Sequence, residues 1–527
     1  MKKSTLALSI AAAIGSLGLA GAANAAMAVQ AGGTGHQLVF PYFSAQGANA
    51  TLLSITNTDT TNGKLVKVRF RGAANSDDLF DFTLALSPGD MWTAAVTNDA
   101  ATGLAQLATS DKSCTLPASV NAKFSTFRLD PNSTISEAVR NAGTREGYVE
   151  VITMGDIQPL ASGTAASTVA TALFTTIKHV AGVAPCAAAV MTEKLGTKTA
   201  GDTALAAPTS GISGDWIILN QTTTAAWSGS ATALSPSTTA QKVFWPQISG
   251  APSGTITDFT ADPLLAKGIV TAQNFDLPDM STPYEAAITA ITQADNTTAA
   301  LAKTNIVNQY VTNDSIAADT DLLFSQPTRR YHVAVNYTAK IDDVATTPNE
   351  LSNFSKTGGV ATAIFRDTTD VLQEGATAVT TTNSYGSAYY RPTNTVFPKA
   401  GDRTLCLNSI SSPGQNNRFD REETTPGASS TDFTISPVII AAASTLFICG
   451  EAAVISINAG GTTAPSALGA TVARSDITYT AAYTDGWLSF ATLAANGTAG
   501  LPILGQAFIR VANGAVNYGF GYAHKTK

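Results

Sequence analysis

The fold is decided by eight consecutive residues in which apolar and basic side chains alternate, Lys64-Leu65-Val66-Lys67-Val68-Arg69-Phe70-Arg71. The three apolar residues from Val66 to Phe70 share one face of an extended chain, and the three basic residues from Lys67 to Arg71 share the other. Strict alternation with a period of two predicts a β-strand that is buried on one side and solvated on the other.

Neighbouring stretches repeat this pattern and predict a sheet. Apolar residues alternate from Phe80 to Leu86, and the turn Ser87-Pro88-Gly89-Asp90 separates them from a strand that begins at Met91. Residues 38–43 and 52–56 complete a predicted antiparallel sheet, which favours a sandwich over a β-α-β fold. Further strands are predicted at residues 215–220, 231–234, 242–245, 269–275, 331–337, 384–390, 438–441, 446–449, 454–457, 486–490 and 503–511.

One central stretch predicts helix instead. Thr282-Pro283-Tyr284-Glu285 matches a capping box with proline in the first helical position, and apolar residues continue to Val311, which allows one or two helices. A short helix is also predicted within residues 167–180. The predicted fold class is therefore mainly β, with antiparallel sandwich-like domains and a short helical insertion. The predicted order is a signal peptide (1–25), an N-terminal β-rich domain (26–280), a helical connector (281–325) and a C-terminal β-rich domain (326–527).

The first residues predict export. Lys2 and Lys3 precede an apolar run of small residues, and Ala23-Asn24-Ala25 fits the small-x-small rule for signal peptidase. Cleavage is predicted between Ala25 and Ala26, and a cut after Ala28 fits the same rule. The apolar run is short for a bilayer span of about 20 residues.

The four cysteines, Cys114, Cys186, Cys406 and Cys449, all lie in the exported part. An even number outside the cytosol predicts disulfides, and four cysteines allow three pairings. Cys114–Cys186 and Cys406–Cys449 are favoured because each pair lies within one half of the chain. A zinc site is not expected, since no two cysteines are close in sequence.

Charged residues are scarce in this chain. Asp, Glu, Lys and Arg make up 13% of the residues, whereas soluble proteins average about 25%. The net charge of −7 argues against a nucleic-acid partner, which requires clustered Lys and Arg. A surface rich in Thr, Ser and Asn can bond to other copies without desolvating charge, so self-association is expected. The alternative is that the composition reflects the Thr- and Ser-rich style of many secreted β-proteins.

No catalytic motif is present. The sequence contains no G-x-S-x-G, H-E-x-x-H, Walker A or complete G-x-G-x-x-G pattern. The four histidines (His36, His179, His332, His524) are scattered and are each interpreted as a surface or strand residue. We therefore expect no enzyme, and no catalytic, cofactor-binding or metal-binding residue is assigned.

Two stretches carry side-chain oxygens that raise the question of Ca²⁺. Asp420-Arg421-Glu422-Glu423 is the densest charge cluster, and its carboxylates could bind Ca²⁺ or could pair with Arg421 in a turn, which is the favoured interpretation. Asn57, Asp59 and Thr61 resemble a calcium loop, but Gly63 comes one position too late for the EF-hand turn. A simple turn is predicted there, and bound Ca²⁺ is left open as the sole candidate cofactor.

Several strand motifs together resemble a known group of exported proteins. They occur in this order: Leu38-Val39-Phe40-Pro41-Tyr42-Phe43, Thr51-Leu52-Leu53-Ser54-Ile55-Thr56-Asn57-Thr58, Val66–Arg71, Asp81–Trp92, Gly214-Asp215-Trp216-Ile217-Ile218-Leu219-Asn220, Phe324-Ser325-Gln326-Pro327-Thr328-Arg329-Arg330-Tyr331 and Phe419-Asp420-Arg421-Glu422-Glu423. The set resembles exported surface proteins of Gram-negative bacteria, and most of all the nanopod-type surface-layer proteins of betaproteobacteria. The resemblance spans most of the chain that follows the predicted signal peptide. Its motifs are strand patterns, and it implies no catalytic residues.

The resemblance implies a structural protein that assembles with itself on the outer membrane surface. It also implies that the layer can sheathe tubular extensions that contain outer-membrane vesicles, with lipopolysaccharide as a candidate partner. The first alternative is a surface adhesin or other binding module, and the second is an outer-membrane porin. The terminal Val516–Tyr522 stretch, in which apolar and aromatic residues alternate, fits a barrel strand, but polar residues to Lys527 follow it instead of a final aromatic.

Overall fold

The structure is a computed structural model that describes residues 27–74, 76–126, 136–160, 170–247 and 277–336. It also describes the segments 370–373, 389–390, 406–407, 416–421, 448, 450–459, 466–471, 474–479, 484–492, 500–514 and 516–526. The predicted cleavage site between Ala25 and Ala26 lies outside these residues.

The described chain is mainly β, as the alternating sequence predicts. Its first thirteen strands are β1 (Met27–Val29), β2 (Gln37–Ser44), β3 (Asn49–Asn57), β4 (Gly63–Gly72), β5 (Asp78–Leu86), β6 (Met91–Asn98), β7 (Ala105–Ala108), β8 (Cys114–Leu116), β9 (Ala122–Lys123), β10 (Glu146–Ile157), β11 (Ile212–Asn220), β12 (Ala226–Ser230) and β13 (Thr232–Pro236). The remaining strands are β14 (Ala302–Lys303), β15 (Asn305–Val311), β16 (Ala318–Ser325), β17 (Val333–Asn336), β18 (Asp370–Gln373), β19 (Tyr389–Tyr390), β20 (Cys406–Leu407), β21 (Asn416–Asp420), β22 (Ala452–Ala459), β23 (Arg474–Tyr479), β24 (Asp485–Ala491), β25 (Leu501–Pro502), β26 (Gln506–Asn513) and β27 (Val516–Ala523).

The helices are short, and all of those described except α3 begin at a side-chain cap. They are α1 (Glu137–Gly143), α2 (Ala172–Ile177), α3 (Ala188–Leu195), α4 (Lys198–Ala204) and α5 (Ala290–Leu301), with 3-10 turns at Asp314–Ile316 and Arg329–Tyr331. The hydroxyls of Ser136, Thr171, Thr197 and Thr289 each accept a backbone N–H from the first turn of α1, α2, α4 and α5. These contacts satisfy N–H groups that have no partner inside the helix.

Two antiparallel sheets form a sandwich in the N-terminal part. One has the strand order β1-β13-β2-β10-β4-β5-β8, and the other has the order β12-β11-β3-β6-β7-β9. Apolar side chains of both sheets form one buried cluster, in which Val68 and Phe70 of the first sheet meet Ile55 and Trp92 of the second. The sandwich prediction is confirmed, because each sheet buries one apolar face against the other.

A helical layer covers the other face of the seven-stranded sheet. Leu173 and Ile177 of α2 and Met191 of α3 pack with Leu65 of β4 and Met154 of β10 in a second buried cluster. A Cys114–Cys186 disulfide closes 72 residues of sequence and ties β8 to the segment before α3. The first predicted cysteine pair is thus confirmed, whereas Cys449, of the second pair, lies outside the described residues.

The C-terminal part adds a five-stranded sheet, β23-β22-β16-β26-β27, and a three-stranded sheet, β15-β24-β21. Leu323 of β16, Val454 of β22 and Phe508 of β26 belong to the same buried cluster as the sandwich core. The indole N–H of Trp227 in β12 also donates to the Ile509 carbonyl oxygen at 3.0 Å. The five-stranded sheet therefore packs directly on the sandwich.

The predicted helix start at Thr282 is wrong. The Thr282 hydroxyl accepts the Asp279 N–H at 2.9 Å and closes a turn, and the helix begins seven residues later at the cap Thr289. The helix also ends at Leu301, and the residues up to Val311 form β15 instead. Ile306, Asn308 and Tyr310 are buried and alternate with less buried residues, which is the period of two of a strand.

Other local predictions have mixed outcomes. The short helix predicted within 167–180 is confirmed in part by α2, and strands at 215–220, 454–457 and 486–490 are confirmed by β11, β22 and β24. Residues 242–245 are not a strand, although Phe244 is buried against the helical layer. Tyr331 belongs to a 3-10 turn, and the strand predicted from it begins at Val333. The predicted strands at 269–275 and 438–441 lie outside the described residues.

Candidate functional site: a buried charge cluster and an exposed aromatic strand

The basic face of β4 is covered rather than solvated. Every residue of β4 is buried, and Lys67, Arg69 and Arg71 are each at most 1% exposed. The prediction of a half-solvated strand is therefore wrong. The alternation itself is correct, but the charged face lies under other parts of the chain, which no local pattern reports.

Acidic residues of neighbouring strands meet the β4 arginines. The Arg69 Nε lies 3.2 Å from a carboxylate oxygen of Asp78 in β5, and the Arg71 Nε lies 3.4 Å from Glu150 in β10. Burial opposes the charge of Arg71, but Glu150 and Asp78 outweigh it and hold the pKa of Arg71 well above its usual value. Both arginines remain cationic inside the protein because carboxylates compensate them.

Residues of the C-terminal part cover this cluster. Arg329 lies 3.0 Å from Glu451 and donates to the Ala74 carbonyl oxygen at 3.1 Å, next to the end of β4. The Tyr148 hydroxyl of β10 donates to the Pro327 carbonyl oxygen at 3.2 Å. Burial raises the pKa of Glu451, against the attraction of Arg329. The charges of β4 therefore lie at the contact between the N-terminal and C-terminal parts.

A second buried ion pair lies at the other end of β4. The Lys64 ammonium is 2.8 Å from Asp156 and 3.3 Å from Asp59. Asp59 accepts the backbone N–H groups of Thr61 and Asn62 at 2.8 and 2.9 Å. Burial alone would raise the pKa of Asp59, but these N–H groups and Lys64 lower it to about 2. The calcium-like stretch is thus a turn, as predicted, and its carboxylate faces a lysine.

Buried charge is general in the described chain. Fourteen charged side chains are buried: Lys64, Lys67, Arg69, Arg71, Asp77, Asp78, Glu146, Glu150, Asp156, Asp279, Asp321, Arg329, Arg330 and Glu451. Charged residues are almost never fully buried unless they are paired. In a chain with few charges to begin with, this burial leaves still fewer to repel other molecules.

The last strand shows the opposite arrangement. Val516, Tyr518, Phe520 and Tyr522 of β27 alternate along one face, and each is 42–50% exposed. The other face carries glycines, and a Cβ on Gly519 would overlap the backbone oxygen of Ala226 in β12. The glycine therefore permits close packing on the sandwich, and it leaves the aromatic face of β27 outside.

A second exposed apolar surface lies on the outer face of the six-stranded sheet. Leu52 of β3 pairs with Ile217 of β11, and they are 41% and 43% exposed. They line a groove of about 380 Å³ together with Ser54, Thr93 and Asp215. The Asp215 carboxylate accepts the Ser230 hydroxyl at 2.6 Å. The groove is therefore mostly apolar, with one carboxylate.

Two histidines differ from their predicted surroundings. His36 is buried outside the strands and bonds to the Ser235 hydroxyl at 3.0 Å and the Pro208 carbonyl at 3.2 Å. His332 is buried after a 3-10 turn and bonds to the Thr298 hydroxyl at 2.9 Å. The interpretation of these two as surface or strand residues is wrong. Both bond to fixed groups of the fold.

One histidine lies near both a serine and an aspartate. The Nδ1 of His179 is 3.2 Å from the Ser87 hydroxyl and 3.5 Å from Asp90. In a catalytic triad the carboxylate contacts one ring nitrogen and the nucleophile contacts the other. Here both groups contact Nδ1, so these three residues do not have the geometry of a triad.

The described part of the chain contains neither a cluster of metal ligands nor a membrane-spanning helix. Within it, no three His, Cys, Asp or Glu residues lie together as a metal site would require. Of the Asp420–Glu423 cluster, Asp420 ends β21 and Arg421 is exposed in the following turn, while the two glutamates lie outside the described residues. No helix in the described ranges is both long and apolar enough to span a bilayer.

No protein-family model, no curated protein and no solved structure matches this chain. The sequence interpretation missed the Leu52–Ile217 surface, and it considered the terminal aromatic stretch only in connection with the porin alternative, against which its polar end counted. Alternation is visible in all three strands, but it does not show that Leu52 and Ile217 lie on the exposed faces of β3 and β11, or that the aromatic face of β27 is the exposed one.

Proposed function

We propose that this chain is a structural protein that assembles with copies of itself into a layer on the outer surface of the cell. The observation that carries the proposal is how the described residues divide charged and apolar side chains between the interior and the surface. Within the part of the chain that the structure describes, fourteen charged side chains are buried, while Leu52 of β3, Ile217 of β11 and the alternating aromatic row of β27 are exposed. Interface cores are depleted in Lys, Glu and Asp and enriched in Tyr and Phe.

The sequence supports the location of this layer. The predicted signal peptide directs export, and the strand motifs resemble those of nanopod-type surface-layer proteins. On this proposal the layer covers the outer membrane, is shed with vesicles and sheathes tubular extensions. Its main partner is the chain itself, and lipopolysaccharide is the partner beneath the layer. If Ca²⁺ bridges the acidic chain to anionic lipopolysaccharide, chelation will release the layer; retention after chelation contradicts the calcium bridge alone.

A binding module such as an adhesin is the second candidate, and the groove on the six-stranded sheet favours it. Ligand sites are usually concave and apolar, with a few placed polar groups. The groove near Leu52 and Ile217 has this character, with Asp215 as its charged group. It is shallow and open, however, and an exposed sheet surface of this kind also serves contact between copies.

Negative-stain electron microscopy of the chain from residue 26, together with material shed by the producing cells, separates these functions. The proposal predicts a regular sheet or a tubular sheath in both samples. Uniform single particles at every concentration would contradict it and would favour the binding module. Purification at low and high protein concentration provides the control, because assembly by mass action depends on concentration.

A further inference from the structure

Strand β27 is the edge of the five-stranded sheet, and its hydrogen bonds show which way its backbone faces. The N–H of His524, just after the strand, donates to the Gly505 carbonyl beside β26 at 3.0 Å. The next residue, Lys525, exchanges two backbone bonds with Val307 on the other side, at 2.8 and 3.0 Å. Successive residues of a strand bond to opposite sides, so the even-numbered residues of β27 bond to β26.

The odd-numbered residues of β27 therefore present N–H and C=O groups at the outer edge. These residues are Asn517, Gly519, Gly521 and Ala523. Among the described strands, β27 forms a ladder with β26 alone. Just beyond its end, Lys525 is bridged to Val307 of β15, so the open part of the edge runs from Asn517 to Gly521. An unpaired row of this kind is a template for another strand.

Other edges of the described sheets of three or more strands are short, charged or covered. β1, β8 and β9 have three residues or fewer. β21 and β23 each contain an arginine and an aspartate, which are residues that discourage edge pairing. β15 is bridged to Lys525, and β12 lies against β27. β27 has eight residues, no charge and no proline, so it lacks the features that discourage edge pairing.

The area of the exposed row indicates what kind of contact it makes. Its four apolar side chains expose roughly 400 Å², given that an aromatic side chain presents about 150–250 Å². A stable complex buries about 800 Å² per partner, so this contact is weak alone and gains strength when it is repeated. Every copy of the chain carries the same strand, and an uncharged strand costs no ionic desolvation when it meets its own copy.

We propose that the outer edge of β27 pairs with β27 of a second copy, which joins two five-stranded sheets into one continuous sheet. Antiparallel pairing about a two-fold axis sets the row of Tyr518 and Phe520 beside the same row of the other molecule. A two-fold contact closes on itself, so the layer requires another contact elsewhere. This inference rests on the proposed function and identifies one surface through which copies of the chain meet in the layer.

The test is sedimentation velocity of the chain from residue 26 over a series of concentrations. Tyr518→Lys brings like charges together across the two-fold axis and is expected to raise the concentration needed for association about tenfold or more. Asn517→Pro removes an outward N–H and is expected to weaken association without disturbing the ladder to β26. Val180→Lys introduces the same charge at a residue that is 67% exposed in a turn and is expected to associate like the wild type.

Two further measurements separate a loss of folding from a loss of the β27 contact. Thermal melting checks that each variant folds, and hydrogen exchange of wild-type residues 516–523 is expected to slow in the associated state. If the wild type associates and both β27 variants associate equally well, or if exchange at β27 does not slow, the β27 contact is overturned and the proposed function stands. If the wild type remains a monomer at every concentration, the proposed function and the β27 contact are both contradicted.

Discussion

Strands β4 and β27 have the same alternation and opposite surroundings. In β4 the polar face carries Lys67, Arg69 and Arg71, and the fold covers it completely. In β27 the apolar face carries Tyr518 and Phe520, and the fold leaves it open. The comparison shows that a period of two identifies a strand, whereas the layer packed against each face decides which side chains meet water.

The largest effect is expected from breaking the charge cluster on β4. Arg71→Met removes the cation that lies 3.4 Å from Glu150, while Asp78 keeps Arg69 beside it. Removal of one partner of a buried ion pair costs about 3–5 kcal/mol. Urea unfolding should show this loss in the free energy of unfolding. The exposed pair Lys123–Asp99 provides the control, because solvent screens it and Lys123→Met should leave the free energy of unfolding almost unchanged. Equal losses in the two variants would contradict the importance of burial.

The second-largest loss of stability is expected from opening the disulfide that ties β8 to the segment before α3. Replacing Cys114 and Cys186 together by serine opens a cross-link that spans 72 residues. The expected loss of unfolding free energy is about 2–4 kcal/mol, because the unfolded chain regains the entropy of that loop. Unfolding with and without reductant should give a larger difference in the wild type than in the serine variant, which keeps only the predicted Cys406–Cys449 pair. An unchanged wild type under reductant would refute the prediction.

The free energy of unfolding should depend on pH because of His524, the residue that follows β27. Its ring stacks on Phe324 with centroids 4.8 Å apart and bonds to the Leu323 carbonyl. Burial lowers the pKa of His524 to about 4 from 6.5, although the bond to Leu323 opposes the shift. The unfolded chain therefore takes up a proton first as pH falls, and the stability present above pH 6.5 is lost as pH falls toward 4.

His524→Gln should remove this share of the pH dependence, which amounts to about 2–3 kcal/mol at most. Free energies of unfolding measured at several pH values between 7 and about 4 check it. The shift of His36 to about 4 has the same sign and burial as its main cause, so the variant should retain part of the slope. A variant with the full wild-type slope would show that His524 is not involved.

The smallest effect on stability is expected on β27 itself. Phe520→Lys places a charge where the side chain is already 45% exposed, and surface substitutions usually change the free energy of unfolding by less than about 0.5 kcal/mol. Urea unfolding at low protein concentration measures it. The matched substitution Val68→Lys lies 0% exposed in β4 and should prevent folding or cost several times more. A large loss for Phe520→Lys would mean that β27 is buried in solution.

The sequence predicted what depends on local pattern. β4, β5 and β11 follow from alternation, and Cys114–Cys186 follows from proximity along the chain. The false helix start at Thr282 has a local competitor, because the same hydroxyl closes a turn with Asp279. In such cases a side chain fits two motifs, and the surrounding packing selects one.

The candidate surfaces could not be predicted because they depend on distant residues. Nothing near Arg71 in the sequence indicates that Glu150 lies beside it, or that Arg329 and Glu451 close over the end of β4. Likewise, the exposure of Tyr518 follows from Gly519, which packs on Ala226 almost three hundred residues earlier. The low charge content was visible at once, but its division between interior and surface required the fold.

Sedimentation velocity of the wild-type chain from residue 26, in low salt and in about 1 M NaCl, tests the central claim most directly, because ionic contacts are screened beyond about 3 Å at that concentration. Association through apolar rows and backbone pairing predicts that the average mass rises with protein concentration and does not fall in high salt. A chain that remains monomeric at every concentration, or whose association disappears in high salt, would contradict the account.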